Sequence, residues 1–350
     1  MKLTHSRLLR KATLLSTLPL LTITPSALAD SLTSDTAVSS DSFIEALSYR
    51  GSPTDRTADS GPSWSLEYSR TSSTLGTISD VSHGFSGGVA YRTTGGWEIG
   101  GGLYRGTTPD ENLTSFGPNF RIGKSFDLGA NVPLNHAKPR IFQAGSTRKE
   151  NATPLEESDA SDDGDEPFRP SFELAANFGS LAYQQESAAT AGTATPVKRN
   201  GRKTRLPANT PNSITQSSFG LDASWSCLDW LSLNASFMKY RYSKNINTFL
   251  QYLDSPLAAR TGGSGFSSTV GSFPESMTVV GTTLSPTDFW DVDLSAALSH
   301  AASGQSETKA VKILANRDLG KHWRLGGGVE RSTSELVAET IGHLSIGYLF

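Results

Sequence analysis

The stretch that decides the fold is the last one in the sequence: Glu339-Thr340-Ile341-Gly342-His343-Leu344-Ser345-Ile346-Gly347-Tyr348-Leu349-Phe350. Counted by twos from Phe350, Tyr348, Ile346, Leu344 and Gly342 fall on one face. Gly347, Ser345 and His343 fall on the other, with Ile341 and Leu349 as apolar intruders. Side chains alternate strictly across a β-strand, so this segment predicts a strand with one oily, aromatic-tipped face and one small or polar face.

The same period runs through the chain. Trp64, Leu66 and Tyr68 oppose Ser65 and Glu67, and Phe85, Val89 and Tyr91 oppose Ser86, Gly88 and Arg92. Trp97, Ile99 and Leu103 oppose Glu98 and Tyr104, with Thr94-Gly95 as a tight turn before them. Further strands are predicted over 119–122, 126–132, 172–178, 181–186, 219–225, 231–237, 277–284, 290–298, 311–315 and 323–329. Together with the last segment this predicts an all-β chain of about fourteen strands, with twelve as the alternative. Short turns are expected at 94–96, 124–125, 179, 227–229, 285–288 and 320–321. Long connections are expected at 135–170, 187–213 and 243–274.

Composition narrows the class. Hydrophobic residues make up 36% of the chain, low for a soluble α/β enzyme of 350 residues. Mean hydropathy is −0.31, which argues against membrane helices of ~20 apolar residues but not against strands that are half polar. Residues 1–29 carry Lys2, Arg7, Arg10 and Lys11, an apolar run over 12–23, and Ala27-Leu28-Ala29. They read as a secretory signal peptide. Taking those four basic residues from 31 Lys and Arg, against 34 Asp and Glu, leaves −7, which gives no electrostatic case for a nucleic-acid partner. Residues 30–61, rich in Ser, Thr and Asp, read as a flexible leader or a small plug, with a short helix possible over 42–49. The single cysteine, Cys227, is expected to be a turn residue.

These features resemble bacterial outer-membrane β-barrels of the porin-like kind, without a specific subfamily. In that family the terminal Phe and alternating apolar residues, here Leu344, Ile346, Tyr348 and Phe350, serve as the assembly signal. The resemblance implies an antiparallel transmembrane barrel over 62–350 in the outer membrane, with short periplasmic turns and long extracellular loops. It also implies outer-membrane lipid, lipopolysaccharide and the barrel-assembly machinery as partners. Closure follows from physics, because an open sheet edge in hydrocarbon would leave a row of unsatisfied N–H and C=O groups.

The polar face would then line a lumen. Its charged residues, Asp291, Asp293, Lys312, Arg324, Glu330, Asp222, Glu98 and Arg92, are the candidates for pore lining and selectivity. The expected function is passage of small hydrophilic solutes, with no cofactor and no metal. A rim-active, lipase-like enzyme and a non-conducting structural or adhesion barrel are the alternatives. Gly84-Phe85-Ser86-Gly87-Gly88 matches the G-x-S-x-G pattern, but it lies mid-strand with no helix after it. His300 with Ser303 matches outer-membrane phospholipases only loosely. Asp159-x-Ser161-x-Asp163-Gly164 opens like a calcium loop but has Pro170 where the twelfth-position Glu belongs. The acidic 150–166 and basic 198–205 segments read as solvated loops, the basic one able to meet lipopolysaccharide phosphates.

Overall fold

A computed structural model describes residues 31–40, 42–51, 60–75, 78–109, 112–128, 168–185, 212–250, 273–287, 289–302, 307–320, 322–334 and 338–350. Fourteen strands run in chain order: β1 Ser31–Val38, β2 Ser42–Gly51, β3 Gly61–Leu75, β4 Ile78–Arg92, β5 Trp97–Thr108, β6 Leu113–Asp127 and β7 Ser171–Gln185. Then come β8 Asn212–Leu228, β9 Leu231–Tyr242, β10 Pro274–Thr287, β11 Trp290–Ala301, β12 Glu307–Leu319, β13 Trp323–Thr333 and β14 Ala338–Leu349. A short helix, α1 Ile246–Leu250, follows β9. Every strand pairs antiparallel with its sequence neighbours, and β1 pairs with β14 to close the barrel. The seam runs from Ser31 opposite Leu349 to Val38 opposite Gly342. Both ends of the described chain therefore lie at one rim, called here the terminal rim.

The barrel is turned inside out relative to a water-soluble domain. Outward positions hold large apolar side chains that stay exposed, among them Val89 (68%), Val311 (55%) and Phe85 (54%). Inward positions hold Ser, Gly, Asn and most of the strand charge. An apolar belt that encircles the molecule far exceeds the isolated patches of soluble monomers and suits a lipid surface. All six tryptophans (Trp64, Trp97, Trp225, Trp230, Trp290 and Trp323) sit at strand ends or turns on the terminal rim. Lys124 lies over the Trp97 and Phe126 rings at 4.9 and 5.2 Å, and Arg317 over Trp290 at 5.4 Å.

Several expectations are corrected. Residues 31–38 and 42–51 are strands of the barrel wall rather than a leader or plug, and 42–49 is no helix. Their periodicity was weak for a physical reason. Glu45 points outward against Arg70, while Ile44 and Ala46 point inward, so neither face of β2 is uniform. At the same time, 119–122 and 126–132 belong to one strand, β6, through Asp127, and 172–178 and 181–186 to another, β7. Ser125 and Gly179 are mid-ladder residues, not turns. The total of fourteen stands, composed differently. Merging those pairs also moves the first long connection. The chain leaves β6 and re-enters β7 at the terminal rim, where Leu128 N–H donates to the Pro170 carbonyl at 2.9 Å. The connections after β7 and β9 leave from the opposite rim, as expected. Four short connections fall close to where turns were read, between β4 and β5, β8 and β9, β10 and β11, and β12 and β13, but Cys227 is a residue of β8 rather than of a turn, and 285–287 belong to β10. Gly96 (φ 77°) and Gly320 (φ 69°) supply the left-handed backbone that two of them need. The signal peptide and the acidic and basic segments lie outside the described residues.

Candidate functional site: the barrel lumen

Register fixes which side chains face inward. Asp291, Asn316, Gly326, Ser345 and Asp35 are successive cross-strand partners, so all lie on one face of the sheet. All eight candidate residues fall on the inward face, and they gather into three groups.

The first group braces β4 to β9 near the terminal rim. Arg121 on β6 reaches Asp222 at 2.6 Å, Glu173 at 3.0 Å and Glu98 at 3.4 Å. Arg92 on β4 reaches Glu98 at 3.1 Å and Glu173 at 3.6 Å. Asn177 and Ser236 donate to Asp222 at 2.5 and 2.7 Å. A guanidinium presents five donors in a planar fork, which lets one side chain serve three carboxylates on three strands. Arg121 and Glu173 read from sequence as charges of the inward face but were not among the selectivity candidates. Arg121 was visible as an inward residue, but its partners sit 23, 52 and 101 positions away and only the register unites them.

The second group stands on β10 to β13. Asp291 is buried, accepts from Ser285 Oγ at 2.7 Å and meets Arg324 directly. Arg324 also lies 3.8 Å from Asp318. Asp293 accepts from Thr283 at 2.7 Å and from Asn316 at 3.2 Å, and it lines the open lumen. The two aspartates, read together from sequence, thus differ. Asp291 is locked in an ion pair, while Asp293 faces the cavity. The third group places Lys312 opposite Glu330 across β12 and β13, with His343 Nε2 3.2 Å from the fully buried Glu330.

Toward the other rim the interior becomes apolar. Leu113, Tyr183, Ile214, Ile246, Phe249 and Phe273 form a buried cluster against β6, β7 and β8. The connection after β9 therefore turns into the barrel at both ends. Asn212 holds the Phe249 carbonyl at 3.1 Å, and Tyr242 Oη donates to the Pro274 carbonyl at 2.7 Å. Phe273 adopts φ 64°, a left-handed backbone costing about 1–3 kcal/mol for a bulky residue. Its ring, 1% exposed, packs 5.0 Å from Tyr183 and 5.6 Å from Phe249, and that burial holds the strained turn in place.

What remains open is a cavity of about 1000 Å³. Its lining runs from Ser31, Arg324 and Leu349 at the terminal rim to Thr108, Leu113 and Pro274 at the other. Along β4, β5 and β6 the wall is Gly84, Ser86, Gly106, Ser115 and Gly117, and the Tyr104 ring lies flat against it. A Cβ at Gly106 would stand 2.8 Å from Tyr104 Oη and 2.5 Å from Ser115 Oγ, so the missing side chain is what keeps the tyrosine out of the channel. Arg50, Arg92, Arg121, Lys312 and Arg324 face inward against Asp35, Glu67, Glu98, Glu173, Asp222, Asp291, Asp293, Asp318 and Glu330. Carboxylates thus outnumber basic groups among the described residues.

Ser86 faces the lumen from the middle of β4, whereas His83 on the same strand points outward to Tyr68 Oη at 2.9 Å. His300 also points outward, 3.4 Å from Glu307. Neither histidine can serve Ser86, and among the described residues no cluster with metal-ligand composition occurs.

The closed wall, apolar outside and polar within, defines an antiparallel fourteen-stranded β-barrel. The chain matches no protein-family model and no curated protein. Among solved structures it is similar to the CymD monoaromatic hydrocarbon channel, at 9% identity over 92% of this chain and 88% of that one, with a TM-score of 0.44. It is similar to Pseudomonas putida OprB at 8% identity, 92% and 94% coverage and TM-score 0.42. It is also similar to the β domain of the Bordetella autotransporter BrkA, at 9% identity, 92% and 100% coverage and TM-score 0.36. At this level the likeness is one of fold.

Proposed function

We propose that the protein is an outer-membrane channel for small hydrophilic solutes and that it favours cations over anions. The observation that carries this is the rim-to-rim cavity inside a barrel whose inward face, among the described residues, bears more carboxylates than Lys and Arg, with Asp35, Glu67 and Asp293 opening onto the cavity beside Arg50, Lys312 and Arg324. Fixed charge on a water-filled bore surrounded by low-dielectric lipid concentrates counter-ions and excludes co-ions. The apolar cluster fills the β6–β8 side of the outer half, so solutes pass along β1–β5 and β11–β14. The exposed belt supports outer-membrane placement, because eleven of the fourteen strands have 12–17 residues and, tilted, match a hydrocarbon core of ~25–30 Å.

The test is single-channel recording of the refolded protein in a planar bilayer under a salt gradient. The expected result is steady conductance with a reversal potential of cation-selective sign, reduced in a Glu67→Gln/Asp293→Asn variant. An inserted barrel that conducts nothing, or conducts anions preferentially, would overturn the proposal.

A further inference from the structure

The inward carboxylates are not alike. Glu98, Glu173 and Asp222 are held by Arg92 and Arg121, Asp291 by Arg324, and Glu330 by His343. Asp318 lies 3.8 Å from Arg324, Asp293 accepts from Thr283 and Asn316, and Glu339 accepts from Ser42. Asp35 sits among Lys312, His343 and Arg50, and Asp127 stands at the terminal rim, at the end of β6. Glu67, in the middle of β3, is different. It is exposed to the lumen, and among the described residues no hydrogen bond or ion pair holds its carboxylate. Arg50, its diagonal neighbour on β2, makes no ion pair with it.

Beside Glu67 stands an aromatic ring. Glu67, Ser86 and Tyr104 are successive cross-strand partners on β3, β4 and β5, so all three face the lumen in one row. Tyr104 leans along the wall over Gly84 and Gly106, where Cβ atoms would stand 3.2 and 2.8 Å from its Oη. Its hydroxyl hydrogen-bonds Ser115, which fixes the ring. One face of the ring therefore covers glycine backbone, and the other lines the cavity. The backbones of β3 and β5 are two ladder spacings apart, about 10 Å. Carboxylate and ring thus flank the small side chain of Ser86, with open bore above it.

We propose that Glu67 and Tyr104 form a binding site in the bore for a small quaternary ammonium cation of the choline type. An aromatic face attracts a cation through its quadrupole, and the free carboxylate supplies the counter-charge. A potassium ion keeps its hydration shell and gains from the carboxylate alone. A quaternary ammonium has no N–H to donate and is weakly hydrated, so its methyl groups pack on the ring while its charge faces Glu67. The pinned hydroxyl and the glycine floor hold the ring ready, so little ordering is left for binding to supply. The site rests on the cation-preferring channel reading and adds a substrate class to it.

The test is calorimetric titration of the full barrel in a maltoside detergent with choline chloride, potassium chloride and neohexyl alcohol, the uncharged isostere of choline with carbon in place of nitrogen. The expected result is choline binding that neither potassium nor the isostere matches. Tyr104→Leu should weaken it roughly three- to tenfold. Glu67→Gln should weaken it at least as much, and Tyr104→Phe should keep it. If Tyr104→Leu does not fold, Glu67→Gln and the isostere carry the comparison. Absent choline binding, equal binding of the isostere, or full binding by Tyr104→Leu or Glu67→Gln would overturn the site. Bilayer recordings separate this from the channel reading. A cation-selective pore without choline binding keeps the channel and overturns the site, whereas a barrel that binds choline but conducts nothing keeps the site and overturns the channel.

Discussion

Arg121→Met removes a charge while keeping most of the side-chain volume, and its cost can be worked from the lumen geometry. Arg121 contacts Asp222, Glu173 and Glu98 at 2.6, 3.0 and 3.4 Å. Coulomb's law at ~3 Å gives about 1.4 kcal/mol per contact in bulk water and about 5.5 kcal/mol at an effective dielectric of 20. The wall is wet, and the Arg121 side chain is 35% exposed, so the water end of that range governs. Ordering long side chains and stripping their water cancels much of it, leaving ~0.2–1 kcal/mol per exposed pair. Three pairs, plus repulsion among carboxylates left with Arg92 alone, come to about 1–3 kcal/mol. If those contacts are lost in the unfolding transition state, unfolding accelerates by roughly 5- to 150-fold, at 1.36 kcal/mol per tenfold. The assay is the rate at which the folded gel band disappears in urea at fixed temperature. Arg121→Lys should recover part of the loss, since an ammonium keeps the charge but lacks the planar fork. The same Met variant should shift the reversal potential further toward cations. An unfolding rate within about twofold of wild type (~0.4 kcal/mol) would refute the idea that this network braces the wall.

Other outcomes follow from neighbouring features. Asp293→Asn should lower cation selectivity with little effect on stability. Asp291→Asn should do the reverse, because Asp291 is buried against Arg324 and Ser285; salt-gradient recordings and urea unfolding of each single variant check both. Phe273→Gly relieves the left-handed backbone but removes a buried ring, a change of about 3–5 kcal/mol less about 1–3 for the relieved strain. It should loosen α1 from the wall and raise single-channel conductance. Gly106→Ala should push Tyr104 into the bore and lower conductance without changing ion preference, read in the same bilayer recordings. Truncation of Phe350, whose ring lies 5.1 Å from Tyr348 and 6.5 Å from Tyr49, should slow assembly into membranes more than it changes the conductance of barrels that do assemble. Pulse-labelling of the folded band measures the first effect.

Much of the fold was legible because period-two alternation depends on local sequence alone. The strands carrying Trp97 to Leu103, Leu231 to Phe237 and Trp323 to Val329 show it cleanly, and the structure has them. Where alternation failed, other forces had overridden it. In β2, Glu45 faces outward to meet Arg70, and Ile44 faces inward, so the strand reads as irregular polar chain. In β6 and β7, the Gly and Pro residues at 117–118 and Gly179 look like turns, but they lie within long ladders whose pairing continues on both sides. The lumen was legible only as a face. Which inward charges meet is a property of register and closure, and Arg121 with Glu173 shows that a network spanning 101 positions leaves no local trace. The inward turn of the chain after β9 was hidden for a related reason. Phe249 and Phe273 act from connection residues that a strand pattern does not address.

The seam between β1 and β14 leaves Ser31 directly opposite Leu349. Geometrically the sheet is a ring, and the place where the polypeptide is cut is arbitrary. A circular permutant that joins 350 to 31 through a short linker and opens within 186–211 keeps every ladder intact. Tyr348 and Phe350 would then sit in the interior of the chain, still packed on Tyr49 and Trp323 but no longer at its terminus. Such a permutant would distinguish two roles open to these residues. If it folds in detergent yet is ignored by the assembly machinery, the last residues act as an address. If it also assembles in cells, they act as mortar.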